Sequence, residues 1–457
     1  MITLSKKNKI YLLLITLIGI FLRILWITKI NCVPISDFEV YKKIATNVYI
    51  HSTNSYMGVP VSFQGPGYTL ILGLVYKLVS SSSILTAKIL NLILSSLTLC
   101  IIMFIFYKLF RDKKIMLIAY TFMALNPNYI AYNNVLGSEV LLTFLFALII
   151  SLHMINFNIL VKHILLGILI GVATLTKPQF LVYIFIFFII EWLNSKNLKA
   201  IIKGFTITLF FFLAVILPWT FRNNAIYHRF IPISYNGGYV LFINNNSSNT
   251  TGAWMPVSKV SVSKTTKNKL IAAGFNYTSS VDEEVKEVMF NPKLEPVFKT
   301  EAVHWILNHP FNFFKLGIKR IKNTFFNGAG DIYAWCMTAQ NSNTFLVQKP
   351  IFKKLFDFNI KLLSISGFIY IVISIGSIFK ALICKNVKIN YALSIPTINC
   401  LFFILIPFVF EGQPRYNFPI LFMFEFCLFR LIYICIEKFN YFFTNKQSNI
   451  HSDYFTQ

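Results

Sequence analysis

Long apolar runs recur along this 457-residue chain, separated by short basic stretches and by two extended polar ones. A helix needs about 20 apolar residues to cross ~30 Å of hydrocarbon. The runs place spans at roughly 10–30, 84–108, 115–132, 139–157, 163–176, 180–194, 201–218, 358–380, 390–410 and 417–437. The pattern predicts an all-α polytopic membrane protein with about ten transmembrane helices. Residues 163–194 taken as one helix would be ~45 Å long, and Lys177-Pro178 interrupts them midway, so two short spans fit better. That division also keeps the Lys196 to Lys203 cluster on the side of the other basic loops.

Three regions follow. Residues 1–218 form an N-terminal transmembrane core that includes a first polar loop, 31–83. Residues 219–357 form a large second polar region, and 358–457 hold the last helices and a short tail. Within the first loop, Tyr41, Ile44, Ala45, Val48 and Tyr49 recur at helical spacing opposite Lys42, Lys43 and Asn47, which predicts an amphipathic interfacial helix. "GPGYTLILGLVYKLV" from Gly65 begins with turn residues and is too short to span, so it reads as interfacial or re-entrant. "HPFNFFKLGIKRIKNTFF" from His309 alternates Phe313, Phe314, Ile318 and Ile321 with Lys315, Lys319, Arg320 and Lys322, a third interfacial helix.

Composition agrees with this reading: 56% of residues are hydrophobic and 13% charged, too apolar for a soluble chain of this length. The net charge of +25 in a soluble protein would point to nucleic acid. Here most Lys and Arg sit in short loops, where they report topology. Abundant Ile, Lys, Asn and Phe also match an AT-rich coding sequence, which further discounts the charge as evidence of a nucleic-acid partner. With Lys6, Lys7 and Lys9 inside, both termini are cytoplasmic and the two polar regions extracytoplasmic. The N-terminal run lacks a small-residue cleavage site and reads as a retained helix. Most cysteines lie in spans; Cys32 and Cys336 are the pair outside the bilayer that a disulfide would join.

Carboxylates are scarce, so Asp37 and Glu39 at the lip of the first span raise a question of purpose. Ser36 and Glu39 have capping-box spacing and Asp37 suits the first turn of a helix. Positions i and i+2 do not share a helix face, so Glu39 is not expected to work beside Asp37. Arg23, Glu425 and Arg430 fall inside spans, where an interhelical ion pair is the simplest role and inward snorkelling another for Arg430. His51 stands alone near this loop and no metal-ligand spacing appears.

An Asp in the first external loop, then an interfacial helix, then the G-P-G-Y turn, resembles membrane glycosyltransferases of the GT-C fold. The resemblance is to family 39 and the protein O-mannosyltransferase and aminoarabinose transferase group. It continues through "ALNPNYIAYNNVLGSEVLLTFLFAL" with Glu139, "GILIGVATLTKPQFL" ending at Lys177-Pro178, "LPWTFRNNAIYHRFIPISYNGGYVLFINNN" with a PW-x-x-RN turn at Arg222, and "EGQPRYNFPILF" with Glu411, Arg415 and Tyr416. Eukaryotic members have adjacent Asp-Glu where Phe38 separates Asp37 from Glu39 here, and no compact domain follows the last span.

The resemblance implies transfer of a sugar from a polyprenyl phosphate to a hydroxyl or phosphate at the outer membrane face, with undecaprenyl phosphate as carrier in a bacterial host. Asp37 would be the general base. Arg222, Arg415 and Lys177, with Tyr416 as donor, would meet the lipid phosphate. Glu39, Glu139 and Glu411 are further carboxylates that orient the cations, bind sugar hydroxyls or help hold a divalent metal. Inversion follows if no second carboxylate is the nucleophile. Envelope glycan, lipid and protein acceptors stay open. A lipid-linked oligosaccharide flippase or polymerase is the alternative, but its route would be lined by charges in many spans, and mid-span charges are sparse.

Overall fold

The computed structural model describes residues 4–30, 32–336, 350–383 and 389–453. In chain order its helices are α1 (Lys6–Lys29), α2 (Asp37–His51), α3 (Gly67–Leu78), α4 (Ile84–Leu109), α5 (Lys113–Ala124), α6 (Pro127–Ala131), α7 (Ser138–Ser151), α8 (Ile159–Thr176), α9 (Tyr183–Ser195) and α10 (Leu198–Tyr227). Then come α11 (Gly237–Asn244), α12 (Lys264–Ala272), α13 (Val281–Phe290), α14 (Glu295–Asn308), α15 (Pro310–Phe325), α16 (Gly330–Cys336), α17 (Pro350–Ile383), α18 (Tyr391–Val409) and α19 (Leu421–Asp453). The strands described are a single short hairpin, Ser55–Tyr56 with Val59–Pro60. The chain is an all-α polytopic membrane protein, as the hydrophobic pattern predicts.

Among the described residues, eight helical segments are long and apolar enough to cross a bilayer. The Lys177-Pro178 break is real: α8 ends at Thr176 and a 3-10 turn, Pro178–Val182, leads into α9. Two of the ten expected spans are shorter than predicted. α5 has 12 residues and α7 has 14, which at ~1.5 Å per residue fall short of ~30 Å. α5 stops because Pro127 brings no N–H and disfavours a helical Asn126; the Asn126 side chain instead caps α6. The opposite difference occurs at Pro218, where the expected PW turn is the interior of α10. There Trp219 donates to the Ile233 carbonyl at 2.8 Å and Thr220 to the Pro232 carbonyl at 2.9 Å, fastening the loop that follows.

The α5–α6 break also explains Arg23. An ion pair with Glu425 does not form. Arg23, fully buried, donates Nε to Ser95 Oγ at 2.8 Å and Nη1 to the carbonyls of Gly19 and Ala124 at 2.8 and 3.0 Å. A carbonyl orphaned at a helix end inside the membrane needs a donor, and Arg23 supplies it. Glu425 lies beside Asn126, on the other side of the same break. Arg430 rests over the Tyr433 ring at 5.1 Å.

Both polar regions gather at one end of the bundle around a shared apolar core. Ile44, Val61 and Phe63 of the first region pack there with Ile231, Tyr239, Val288 and Phe298 of the second. α2 therefore turns its apolar face, Phe38, Tyr41, Ile44 and Ala45, into protein and not onto a free membrane surface. α15 keeps the interfacial character, with Phe311, Phe314 and Ile318 exposed, but Arg320, expected on its polar face, is fully buried. Arg320 donates to Asn244 O and Asn245 Oδ1, both at 2.9 Å. The Cys32–Cys336 question lies outside the described residues, because the Cys336 side chain is not among them.

α3 is seated against the end of α8 through a close approach. A Cβ on Gly67 would sit 2.7 Å from Thr176 N and 2.8 Å from Thr176 Cα, both backbone atoms that cannot swing aside. Gly67→Val is expected to destabilise the protein by at least ~1–3 kcal/mol, the usual cost of overpacking. Thermal unfolding in detergent checks this, and an unchanged midpoint would show that α3 and α8 separate freely.

Candidate active site

α2 begins directly after Ser36, whose φ of 51° is a left-handed conformation that serine rarely adopts. Asp37 is the first helical residue. The expected capping box is not formed: the Ser36 side chain makes no cap bond, and Glu39 instead pairs with Lys43 at 2.6 Å on the exposed face. The chain does contain a capping box elsewhere, at Ser280 and Glu283.

The partner of Asp37 comes from nearly four hundred residues away. Arg415 Nη2 donates to Asp37 Oδ2 at 2.7 Å. Arg415 lies in the 3-10 segment Pro414–Ile420 that leads into α19, and its backbone N–H donates to Asp331 Oδ2 of α16 at 2.8 Å. Phe38, Trp335 and Tyr416 surround its guanidinium, with ring centroids 5.8, 5.8 and 5.4 Å from Cζ. Phe38 and Trp335 meet edge to face at 4.6 Å, so the aromatic collar is itself packed.

A second ion pair lies alongside. Lys177, the residue that ends α8, reaches Glu139 at 3.4 Å and sits 5.5 Å from the Tyr416 ring. Glu139 opens α7 and is almost fully buried. Among the described residues, no donor hydrogen-bonds to either of its carboxylate oxygens. Gly137 makes this approach possible: a Cβ there would run into the Glu139 carboxylate and stand 2.7 Å from the Phe38 ring. Glu411, buried, accepts from Gln413 Nε2 at 2.7 Å and from Tyr416 O–H at 2.9 Å.

Asp37, Glu139, Lys177, Glu411, Arg415 and Tyr416, scattered over the sequence, thus converge at the polar end of the bundle. Burial disfavours the Asp37 carboxylate, but the Arg415 charge and its hydrogen bond, with Lys177 and a nearby Gln64 amide, outweigh it and hold the carboxyl below its ordinary range. Burial dominates at Glu411 and Asp331 and pushes both upward. The Tyr41 phenol, one turn along α2, is raised by burial and by the charges of Asp37 and Glu139. The site therefore holds one carboxylate, Asp37, kept anionic by cations and two, Glu411 and Asp331, held closer to neutrality.

Arg222 and Glu39 are not brought into this cluster. Arg222 donates to Ser62 Oγ at 2.7 Å, Asn223 Oδ1 at 3.0 Å and the Asn54 carbonyl at 3.2 Å, and lies over Trp219 at 4.5 Å. It fastens the 54–62 turn to α10. His51 is exposed at the end of α2. Among the described residues no group of three or more His, Cys, Asp or Glu side chains is arranged to hold a metal ion. The sequence did not single out Asp331, Trp335 or Gln64. Gln64 directly precedes the G-P-G-Y turn but is not part of it, and Asp331 and Trp335 lie in a stretch without a motif, so no signal short of the fold marks them.

No protein-family model matches the chain, and no curated protein matches it. Solved structures similar to it include an oligosaccharyltransferase from Archaeoglobus fulgidus in complex with Zn and sulfate, at 13% identity and TM-score 0.49, covering 94% of this chain and 50% of that one. They also include the archaeal oligosaccharyltransferase AglB from the same organism in complex with an inhibitory peptide and a dolichol-phosphate, at 12% identity and TM-score 0.48, covering 97% and 52%. ArnT from Cupriavidus metallidurans bound to undecaprenyl phosphate is similar at 11% identity and TM-score 0.42, covering 93% and 78%. These are membrane glycosyltransferases of the GT-C fold. The chain spans about half the length of the oligosaccharyltransferases it matches.

Proposed function

We propose that the chain is a membrane glycosyltransferase that passes a sugar from a polyprenyl phosphate to an acceptor hydroxyl on the extracytoplasmic face, with Asp37 as general base. The observation that carries this reading is the 2.7 Å Asp37–Arg415 pair at the polar end of the bundle, with Lys177 beside it. The reaction needs both parts. The acceptor O–H must lose its proton as its oxygen attacks the anomeric carbon, and the departing phosphate oxygen must be met by positive charge. The ordered sequence motifs that resemble those of GT-C glycosyltransferases support the same reading.

In the proposed step the acceptor oxygen bonds to the anomeric carbon while the bond from that carbon to the phosphate oxygen breaks. The electron pair leaves with the lipid phosphate, towards Arg415 and Lys177, and the proton goes to Asp37. No second carboxylate attacks carbon, so the configuration inverts. Arg415 has two tasks in this scheme. While it holds Asp37 it keeps the carboxyl anionic but weakly basic. A donor phosphate that draws the guanidinium to itself relaxes that hold and raises the basicity of Asp37 when an acceptor is in place.

Deletion of the gene is expected to make a polyprenyl-phosphate sugar accumulate in the membrane, and wild-type complementation to clear it. Mass spectrometry of extracted lipids reads both, and the mass gives the sugar class. A lipid profile unchanged by deletion would remove the basis for this function.

A further inference from the structure

We propose that Trp254 forms, with Glu411 and Gln413, a subsite for the pyranose ring of a glycan acceptor. This rests on the transferase reading and selects one of the acceptor classes it leaves open. Trp254 plays no part in the proposed chemistry, and its position is nevertheless closely fixed.

The loop that follows α11 carries it. Asn246 Oδ1 accepts from the backbone N–H groups of Ser248 and Asn249, both at 2.9 Å. Asn249 Oδ1 accepts from Thr251 N at 3.1 Å and Gly252 N at 2.8 Å. Gly252, at φ 74°, gives its carbonyl to Gly412 N at 3.2 Å. The loop is thereby tied to the residue between Glu411 and Gln413. Two residues on, Trp254 Nε1 donates to Tyr239 O–H at 2.9 Å. Tyr239 is buried between Phe63 and Phe298, and the charges of Glu284, then Glu411 and Asp37, act on its hydroxyl.

The indole is thus held by its N–H, with the residue left 41% exposed. A pyranose has a flat face of C–H groups and a rim of hydroxyls. The face loses water against an immobile aromatic ring, and the rim meets the Gln413 amide and the remaining lone pairs of the Glu411 carboxylate, whose two oxygens already accept from Gln413 and Tyr416. An acyl chain would have no use for the carboxylate. A peptide hydroxyl would not need a broad ring whose orientation is fixed in advance.

The test uses the detergent-purified full chain on an array of bacterial envelope oligosaccharides and simple hexose trisaccharides. The wild type is expected to retain a subset of glycans, Trp254→Ala to weaken them about tenfold or more, and Trp254→Tyr to keep most of the binding. Trp305→Ala is the control, because Trp305 also donates to a side chain of this region, Ser247 Oγ at 2.9 Å, but is not tied to Glu411. The proposal is overturned if the wild type retains no glycan, if Trp254→Ala binds like wild type, or if Trp305→Ala loses as much as Trp254→Ala. Lipid accumulation on deletion is scored separately. Accumulation without glycan binding removes the subsite and leaves the transferase; loss of both results removes both.

Discussion

Asp37→Asn is expected to lower the transfer rate by about 10²–10⁴-fold, the range a positioned general base supplies, while the protein still folds and binds its donor. The amide is nearly the shape of the carboxylate and keeps an oxygen for Arg415, so the 2.7 Å contact has a successor and the aromatic collar need not move. What is lost is a group that can take the acceptor proton. Donor affinity is expected to hold or improve, since Arg415 no longer divides its charge between a carboxylate and a phosphate. Initial rates with the purified enzyme, measured against donor concentration, separate the two effects. A variant that keeps wild-type rates would reduce Asp37 to a helix-start residue whose salt bridge is only structural.

The helices were legible because a bilayer imposes one length and one polarity on everything that crosses it. The Lys177-Pro178 break could be read from length and the proline together, and it sets Lys177 at the end of α8 facing Glu139. The failures have local causes. Spans at 115–132 and 139–157 were overestimated because apolar residues continue past the point where Asn126-Pro127 and the α7 end stop the helix. Arg23 looked like half of an ion pair because a sequence does not show that Ala124 leaves a carbonyl in need of a donor.

At the site, Arg222 and Arg415 were equivalent in sequence, each a basic residue in a short motif beside a span. Only the fold separates them, committing Arg222 to Ser62 and the Asn54 carbonyl and Arg415 to Asp37. Asp331 could not have been singled out, since its role is to accept one backbone N–H from a residue 84 positions away. The capping-box spacing at Ser36 misled for a related reason. Ser36 takes a left-handed turn, which leaves its hydroxyl out of cap position and Glu39 on the outer face.

Arg415→Ala is expected to lower the rate at mildly acidic pH, because it removes the proposed phosphate stabilisation and alters the proposed base together. Loss of a preorganised charge aimed at the leaving group is worth about 10²–10³ in rate. The pH dependence identifies the second effect. Wild-type Asp37 titrates below its ordinary range because Arg415 overcomes the cost of burial. If Asp37 is the base, as proposed, activity requires its ionised form, and the acid limb of the rate profile is expected below the usual value of ~4 for an aspartate. Without Arg415, burial opposes only Lys177 and Gln64, the carboxyl pKa rises, and the acid limb moves to higher pH. The depressed carboxyl also stabilises the fold above the unfolded-state pKa, a contribution lost as pH falls through the folded-state value. Arg415→Ala forfeits it, so the variant should lose less stability than wild type on acidification. Arg415→Lys keeps the charge but not the forked donors, so its acid limb should fall between the two. Profiles of rate against pH for the three proteins decide the matter: a limb that stays in place, or moves down, would show that Arg415 does not govern Asp37.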